Sequence, residues 1–479
     1  MNSKNLNKTA VKAGIWYTIC NIALKGCAFL TLPIFTHMMS TEDFGIYNAY
    51  VAYEVIIAAI IGLGLYGTVK NAKLDFKEDF DKYMSSILSI SIIALLLALI
   101  IINGLYYVFP HFLGFNRLIG NCLILQSYGS FLMTFYGAKL NIEFKYKSFI
   151  ILSALNTILN ILISILLIAY VFPDDKGVGR IVGSAIPLIT IGLVLSAIIL
   201  KKGKHLYNKK YWAYALAIGL PLVPHSVSHS ILSQFDRIMI RDYVGESPAG
   251  IYSYIYTICT VTYIIAYSLD NAWNPWVYLK LDKKEGQEIK KASKMYIGLF
   301  SMLTIGFLCF IPEICKLFAK AEYWSGMDLL YPLVISNFFV FLYMLPVGIE
   351  YYNKKTAFIS VGTVLAAVLN FVLNYICILK FGYKTAAYTT LFSYFALFVF
   401  HWIIAKKYKI SEYYDLKYII KNIVLIAVIS GIIILTNFNY TLNVIIRYLI
   451  IASVLIMIFK YRNLVFKIFK GDKNDQARK

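Results

Sequence analysis

The residues best suited to chemistry lie between Gly219 and Tyr252, in a stretch whose apolar background otherwise predicts a membrane-spanning helix. This stretch carries two histidines, one aspartate and two arginines: His225, His229, Asp236, Arg237 and Arg241. An ionisable side chain in the hydrocarbon core costs roughly 3 kcal/mol or more unless it faces water or a partner. Charges of both signs at this depth therefore indicate a wet cavity or a buried binding site.

The angular positions of these side chains on a helix suggest which of them act together. His225, His229 and Asp236 fall within about 40° of one another, and Arg237 lies about 100° to one side. An arginine offers a planar fork of donors that a phosphate can take bidentately, so Arg237 and Arg241 are candidate phosphate-binding residues. In the alternative, Asp236 and Arg237 close the outer end of the helix and Arg241 is solvated. Two histidines and one aspartate are a weak metal signal, so we interpret the histidines as helix-packing groups and expect no metal site.

The elements that must position these residues are membrane helices. Of the 479 residues, 59% are apolar and only 15% are charged, which is typical of a polytopic membrane protein. The formal net charge of +21 does not indicate nucleic acid binding, because the lysines cluster in short segments between apolar runs. Alternate connections and both termini hold 35 Lys and Arg residues, and the opposite connections hold nine. Apolar runs of roughly 20 residues predict an all-α protein with about fourteen transmembrane helices, and this asymmetry predicts that both termini are cytoplasmic.

An internal repeat relates the two halves of the chain. The FGIYN segment at 44–48 opens the second predicted span, and the AGIYS segment at 249–253 opens the eighth, 205 residues later. An Asn-x-x-x-Asn pair beginning at Asn156 in the fifth span likewise matches one beginning at Asn370 in the eleventh. The repeat predicts two parallel six-helix lobes with the substrate cavity between them.

The repeat also sets the predicted domain boundaries. Residues 1–200 form the N-terminal lobe, 201–210 a cytoplasmic connector, 211–405 the C-terminal lobe, and 406–479 two further helices with a basic cytoplasmic tail. All predicted loops are short, whereas membrane polysaccharide polymerases and glycosyltransferases generally need a sizeable extracytoplasmic loop. We therefore expect a protein that is not an enzyme and has no cofactor.

This arrangement resembles a Wzx-type polysaccharide flippase of the multidrug/oligosaccharidyl-lipid/polysaccharide exporter superfamily. The resemblance rests on the two six-span lobes with two appended spans, the (F/A)GIY motifs, the paired asparagines and the LP…S…DR pattern of the seventh span. It implies a MATE-like fold and alternating access between the lobes. The implied activity is movement of undecaprenyl-pyrophosphate-linked oligosaccharide repeat units from the inner to the outer leaflet, for O-antigen, capsule or a related surface polymer.

The resemblance also implies partners and leaves alternatives open. The expected partners are the lipid-linked oligosaccharide, membrane lipids, and a polysaccharide polymerase with its chain-length proteins, and no nucleic acid. A lipid II flippase of the same superfamily is one alternative. A multidrug/cation antiporter is another, although its cavity is expected to be acidic.

Two residues of the first two spans are further candidates. Lys25 lies near the centre of the first predicted span, 13–38, too deep to snorkel to either interface. It either faces the central cavity, where its charge would attract an anionic head group, or pairs with Glu54 of the second span. Glu54 is itself a candidate for coupling transport to an H⁺ or Na⁺ gradient, because protonation removes the cost of a buried charge.

The eighth predicted span, 249–272, carries a stripe of tyrosines suited to sugar binding. Sugars offer apolar ring faces and hydroxyls, which tyrosine can stack against and hydrogen-bond, although such stripes also arise from packing. The predicted sugar contacts are Tyr252, Tyr256, Tyr263 and Tyr267. Asp236 and Asp270 are the remaining ion-coupling candidates, with an end cap as the alternative for Asp270. We interpret Glu350 as an interfacial residue at a span end.

Overall fold

The structure, a computed structural model, describes residue 26 and residues 29–469. This part of the chain consists of α-helices joined by turns and brief 3₁₀ or π segments, and it contains no strand. The helices are α1 (Phe29–Met38), α2 (Thr41–Ile61), α3 (Val69–Asp75), α4 (Phe80–Val108), α5 (Arg117–Ile142), α6 (Tyr146–Leu166), α7 (Lys176–Gly203), α8 (Lys209–Gly219), α9 (Leu222–Tyr243), α10 (Glu246–Asp282), α11 (Gly286–Phe318), α12 (Leu330–Tyr352), α13 (Thr356–Phe381), α14 (Thr385–Lys406), α15 (Ile410–Tyr413), α16 (Leu416–Leu435) and α17 (Tyr440–Phe469).

The number of membrane-spanning helices agrees with the sequence. Twelve of the described helices are long and apolar enough to cross a membrane, and the pair α8–α9 makes a thirteenth if it is counted as one span. The first predicted span, 13–38, lies mostly outside the described residues, and the short apolar helix α1 covers its end. The prediction of an all-α polytopic membrane protein with about fourteen spans is therefore confirmed.

The seventh span is broken, although the sequence predicts one continuous helix over 211–240. Helices α8 and α9 meet at an angle of 43°. Pro221 stands at the break and has no N–H to continue the helical hydrogen bonds. Gly219, the last residue of α8, packs directly against the backbone of Leu63 in the turn after α2. A Cβ at Gly219 would lie only 2.5 Å from the Leu63 carbonyl oxygen. The sequence of α8–α9 thus encodes a kink at a close helix contact.

The described residues pack into two compact units. Unit 1 contains the residues up to 254 together with 363–386, and unit 2 contains 255–362 together with the residues from 387 onward. Helix α10 begins in unit 1 and continues into unit 2. The lobes predicted from the repeat, 1–200 and 211–405, stay a prediction.

Helix α2 is central to unit 1, where it contacts α5, α7 and α9. Its start is fixed by a capping box, in which the Ser40 hydroxyl accepts from the Asp43 N–H at 3.1 Å and the Asp43 carboxylate accepts from the Ser40 N–H at 3.1 Å. Further along, the Tyr50 hydroxyl donates to Gln126 of α5 at 2.9 Å, and the Ser127 hydroxyl donates to the Glu54 carbonyl at 3.2 Å. These bonds fix the rotation of α2.

Unit 2 is organised around α11, which contacts α12, α16 and α17. The guanidinium of Arg447, on α17, pairs with the Glu313 carboxylate of α11 at 2.6 Å and donates to the Cys309 carbonyl at 2.9 Å. Arg447 is 3% exposed, so the ion pair anchors α17 to α11 inside the apolar part of the unit. The appended C-terminal helices are thus attached by a buried charge as well as by apolar packing.

Candidate functional site

A cavity of about 600 Å³ lies within unit 1, beside α2. Its walls combine apolar side chains with oxygen-bearing side chains from α2, α5, α6, α9 and the connection after α2. The polar residues that line it are Glu54, Tyr66, Ser130, Thr134, Asn156 and Ser226. A cavity of this size is in the range that holds a small organic ligand.

Two polar atoms of the cavity-lining residues have no hydrogen-bond partner in the described protein. They are Oε1 of Glu54 and Oδ1 of Asn156, both buried. Glu54 is only 7% exposed, and the structure describes no ion pair for its carboxylate. A buried acceptor left unpaired costs about 1–3 kcal/mol, and more if it is charged. These atoms therefore identify the cavity as a place where a ligand with hydroxyl or amide donors, or a cation, would be stabilised.

The end of α2 nearest this cavity is shaped by glycines. Gly62 and Gly64 both line the cavity. Gly64 adopts a φ of +65°, which non-glycine residues rarely tolerate. A Cβ at Gly64 would overlap the carbonyl oxygen of Gly219 at the α8–α9 break. The kink in the seventh span therefore closes against the turn that follows α2.

The other end of α2 crosses α10 through the two repeat motifs. Gly45 of FGIYN and Gly250 of AGIYS face each other, and a Cβ on either one would overlap the backbone of the other helix. The Thr41 and Ser247 hydroxyls share a hydrogen bond of 2.7 Å beside this crossing. The repeated glycines therefore allow equivalent turns of the two copies to meet at backbone distance.

The Asp236 carboxylate is enclosed by hydrogen bonds. Asp236 is 1% exposed, accepts from the Tyr252 hydroxyl of α10, and accepts from the Arg237 N–H at 3.0 Å. The Arg237 guanidinium donates to the Ser233 carbonyl at 3.1 Å and to the Gln234 side chain. Helix α9 continues to Tyr243, so the alternative that these two residues close the helix end is wrong.

Arg241 connects α9 to the α4–α5 connection. It is 8% exposed, so the alternative that it is a solvated loop residue is also wrong. Its guanidinium pairs with Asp242 at 2.6 Å, donates to the Leu113 carbonyl at 2.8 Å, and stands 4.8 Å from the ring centroid of Phe115. Its Nη1 is buried without a protein partner, which leaves one donor for a ligand.

The predicted tyrosine stripe divides into two environments along α10. Tyr252 lies in unit 1 and is fully buried against Asp236. Tyr256, Tyr263 and Tyr267 lie in unit 2, where the last two rings stack with centroids 6.3 Å apart. Tyr267 is 46% exposed. The sugar contacts predicted for this stripe stay a prediction.

The two remaining acidic candidates, Asp270 and Glu350, lie in unit 2 and accept hydrogen bonds or contacts from other side chains. Asp270 lies well inside α10, which continues to Asp282, so it is not an end cap; it accepts from Asn274 at 2.8 Å. Glu350 lies two residues before the end of α12, as its interpretation as a residue at a span end requires, but it is fully buried and its carboxylate contacts Nδ1 of His401 at 2.9 Å. No local sequence pattern connects residues 51 positions apart, which is why the pair was missed.

Arg180 of α7 is a buried cation whose role the sequence did not define. Its guanidinium donates to Asn160 at 2.7 Å and to the Ser164 hydroxyl, and it lies between the rings of Phe35 and Tyr47 at 4.0 and 4.5 Å. An arginine predicted on the outer side of the membrane runs against the positive-inside trend, and this was the only signal available.

Lys25, the remaining predicted site residue, lies outside the described residues. Within the described part of the chain, no three His, Cys, Asp or Glu residues are grouped to hold a metal ion.

The described helices define a polytopic membrane protein, and comparison with known families identifies which one. The polysaccharide biosynthesis protein family (Polysacc_synt) matches residues 10–278, more than half of the chain, and the chain belongs to this family. It is 24% identical over 415 residues to the capsular polysaccharide biosynthesis protein CapF of Staphylococcus aureus, covering 81% of this chain and 97% of CapF.

Solved transporters share the fold at low sequence identity. The lipid II flippase MurJ in an inward closed conformation aligns with a TM-score of 0.70 and 17% identity, over 95% of this chain and 99% of MurJ. An inward-facing multidrug resistance MATE transporter of the MOP superfamily aligns with a TM-score of 0.63 and 14% identity, over 81% and 94%. The MATE-like fold is therefore confirmed, and the family match confirms the resemblance to polysaccharide biosynthesis proteins.

Proposed function

We propose that the protein is a flippase for lipid-linked oligosaccharides in surface polysaccharide synthesis. The substrate is an undecaprenyl-pyrophosphate-linked repeat unit, which moves from the inner to the outer leaflet of the bacterial cytoplasmic membrane by alternating access. Both termini are cytoplasmic, and the product feeds O-antigen or capsule assembly. The observation that carries the proposal is the polar cavity of unit 1, in a chain of the polysaccharide biosynthesis family.

The cavity suits an oligosaccharide because the lipid tail and the sugars have opposite solvent requirements. The tail stays in the bilayer, whereas each sugar hydroxyl loses water unless the protein supplies donors and acceptors. Oε1 of Glu54 and Oδ1 of Asn156 are unpaired acceptors, and Ser130 and Thr134 can donate or accept. Tyr66 adds an aromatic face for a sugar ring. An apolar drug would leave these groups unsatisfied.

The pyrophosphate requires positive charge at membrane depth. In this proposal Lys25 and Arg237 bind it, and Arg241 contributes its unpaired Nη1 while Asp242 and Leu113 orient the guanidinium. Arginine binds phosphate oxygens bidentately, which adds orientation as well as energy. A binding site that includes these cations is poorly suited to a multidrug/cation antiporter.

The tyrosines of α10 and three acids complete the proposal. Tyr256, Tyr263 and Tyr267 are proposed to contact the saccharide, whereas Tyr252, which is fully buried, holds the Asp236 carboxylate through its hydroxyl. The residues proposed to exchange H⁺ or Na⁺ with the gradient that drives transport are Glu54, Asp236 and Asp270. Glu54 and Asp236 are buried and Asp270 is half-buried, and at the predicted membrane depth a change in their charge changes the cost of closing the surrounding helices.

Deletion of the gene tests the activity. Without the protein, undecaprenyl-linked repeat units should accumulate on the cytoplasmic side of the membrane, and surface polymer should be lost. The side is read by adding a membrane-impermeant lectin or glycosidase to right-side-out and inverted vesicles. Normal surface polymer in the deletion strain would remove the proposal.

Substitutions test the site in the complemented strain. Lys25→Ala, Arg237→Ala and Glu54→Gln should each reduce surface polymer at equal membrane expression. Lys147→Ala is the matched control, because Lys147 is an exposed cation predicted to lie on the cytoplasmic side. Full activity in both Lys25→Ala and Arg237→Ala would contradict the pyrophosphate role.

A lipid II flippase is the second candidate, favoured by the fold match to MurJ over nearly the whole of both chains. Both substrates carry a polyprenyl pyrophosphate, so the saccharide must discriminate them. Rescue of growth after depletion of the host lipid II flippase would favour this second function; rescue of surface polymer alone favours the first. Copurification with a polysaccharide polymerase or a chain-length protein would identify the proposed partners.

A further inference from the structure

The cavity of unit 1 beside α2 has a wall with charge of one sign only. Of the described residues that line it, Glu54 alone carries a formal charge, and none is a lysine, an arginine or a histidine. The other polar groups of this wall are hydroxyls and one amide. The described wall therefore attracts cations and repels anions, although the pyrophosphate of the proposed substrate is itself an anion.

Glu54 is held in this wall by a contact between α2 and α5. The Ser127 hydroxyl of α5 donates to the backbone carbonyl of Glu54 at 3.2 Å, and Ser130, three residues further along α5, lines the same cavity. The Glu54 side chain is 7% exposed, and its Oε1 is buried without a hydrogen-bond partner in the described protein. The contact thus places a buried carboxylate oxygen in the wall with its hydrogen-bonding capacity unused.

A second unused acceptor comes from α6. Oδ1 of Asn156 is also buried without a partner in the described protein, and Asn156 lines the cavity together with Glu54. Carboxylate and amide oxygens each have two lone pairs that accept hydrogen bonds. A ligand must therefore supply at least two donors, because supplying fewer leaves a buried acceptor unpaired.

The apolar part of the wall suits the ring of a sugar. The Phe131 and Tyr66 side chains line the cavity and offer aromatic faces to the C–H face of a sugar ring. Gly62 lies against Phe131, where a Cβ would meet the ring at 2.7 Å, so the absence of a side chain leaves the Phe131 ring its place. The volume of about 600 Å³ is sufficient for a sugar-sized group.

Sugar substituents differ in the donors and the charge that they bring. A protonated amino group brings three N–H donors and a positive charge, whereas a hydroxyl brings one donor and no charge. The carboxylate of a uronic acid brings acceptors only, together with a second negative charge, and like charges placed together oppose binding. Of these three substituents, only the amino group supplies both the donors and the charge that Glu54 lacks.

We propose that the unit 1 cavity is specific for a sugar that carries a protonated amino group, which binds Oε1 of Glu54 while a hydroxyl of the same sugar binds Oδ1 of Asn156. The same carboxylate rejects uronic acids. This inference rests on the proposed flippase function, whose substrate class it narrows. Arg237 and Arg241, which are proposed to bind the pyrophosphate, do not line this cavity, so charge directs the two ends of the substrate to different places.

Binding of four lipid-linked sugars to the full-length protein in nanodiscs tests this specificity. The probes are a farnesyl-pyrophosphate-linked hexose, its 2-amino and 6-amino derivatives, and the corresponding uronic acid. Each displaces a fluorescent form of the neutral probe at pH 7 in choline chloride, so that no small inorganic cation competes at the carboxylate, and empty nanodiscs correct for partition into lipid. At least one amino probe should bind about tenfold tighter than the neutral probe, and the uronic acid about tenfold weaker.

Two variants and a control assign this preference to the cavity. Glu54→Gln keeps the size of the side chain but removes its charge, so the four affinities should fall within about threefold of one another. Asn156→Asp adds a second carboxylate and should strengthen the preference for the amino probe by about a further tenfold. Glu42→Gln is the matched control, because Glu42 is an exposed acid of the same helix that does not line the cavity, and it should keep the wild-type order.

The outcomes separate the inference from the function. Equal affinities of the wild type for the four probes overturn the inference, as does an unchanged order of affinities in Glu54→Gln. If Glu54→Gln does not fold, Asn156→Asp decides, and an unchanged preference in that variant overturns the inference. Failure of every probe to bind the wild type contradicts the flippase function as well, whereas binding without discrimination contradicts the inference alone.

Discussion

Substitution of Gly250 by alanine should destabilise unit 1 by a definable amount. A Cβ at this position would overlap the Thr41 carbonyl oxygen and lie 3.0 Å from the Gly45 nitrogen. Both neighbours are backbone atoms, so no side-chain rotation relieves the overlap. The helices must separate by about 1 Å or more to restore normal contact distances. Overpacking of this kind costs about 1–3 kcal/mol.

The Gly250→Ala substitution also increases helix propensity, and a matched control measures that stabilising contribution. Alanine is favoured over glycine inside a helix by about 1 kcal/mol. Gly104 of α4 has no atom within 4 Å of a built Cβ, so Gly104→Ala shows this gain alone. The free energies of unfolding of Gly250→Ala and Gly104→Ala should therefore differ by the whole steric cost, about 1–3 kcal/mol.

Thermal and denaturant unfolding of the purified variants in one detergent measures this difference. Gly45→Ala should behave like Gly250→Ala, because a Cβ at Gly45 meets the same crossing from the other helix. The free energy of unfolding of the Gly45→Ala/Gly250→Ala double variant should fall by less than the sum of the two single decreases. Once one Cβ has moved α2 away from α10, there is room for the second. Equal stability of Gly250→Ala and Gly104→Ala would refute the backbone contact between α2 and α10.

Three further substitutions have defined outcomes. Tyr252→Phe removes the hydroxyl that donates to the buried Asp236 carboxylate, so the free energy of unfolding should fall by about 1–3 kcal/mol in the same assay. Tyr107→Phe, at an exposed ring, is the control and should leave the free energy of unfolding unchanged. Arg447→Leu leaves Glu313 unpaired and frees the Cys309 carbonyl, so α17 should show faster hydrogen–deuterium exchange while α4 does not. Glu54→Gln keeps the size of the side chain but removes the charge from the cavity; it should lower the rate of oligosaccharide flipping without lowering stability, and a loss of stability with normal flipping would contradict the cavity's role.

The sequence predicted the architecture well because hydrocarbon imposes strict rules on composition. Runs of about twenty apolar residues and a one-sided lysine distribution leave few alternative topologies. The repeat added a finer feature, since Gly45 and Gly250 are equivalent in the two copies and the structure brings them together. The kink at Pro221 was missed because apolar composition, which identified the span, does not register a change in helix direction.

The partners of buried charges were harder to predict than their positions. Charges at membrane depth are visible in a sequence, and Asp236, Arg237 and Arg241 were identified in this way. Their partners lie on other helices, and helix rotation is set by packing that hydropathy does not describe. Glu350 was interpreted from its place at a span end alone, and its partner His401, on a helix two spans further along the chain, was missed.

The difference between paired and unpaired buried groups separates the roles of these residues. Glu313 with Arg447 and Glu350 with His401 satisfy one another, so an apolar helix can carry them without a ligand. Oε1 of Glu54 and Oδ1 of Asn156 have no such protein partner, and their burial would be offset by a bound hydroxyl-rich substrate. Paired groups are expected to affect stability when mutated, whereas the unpaired cavity groups are expected to affect transport. Measuring stability and flipping on the same set of variants therefore tests the assignment of each residue, since a cavity residue that changes only stability would belong to the first class.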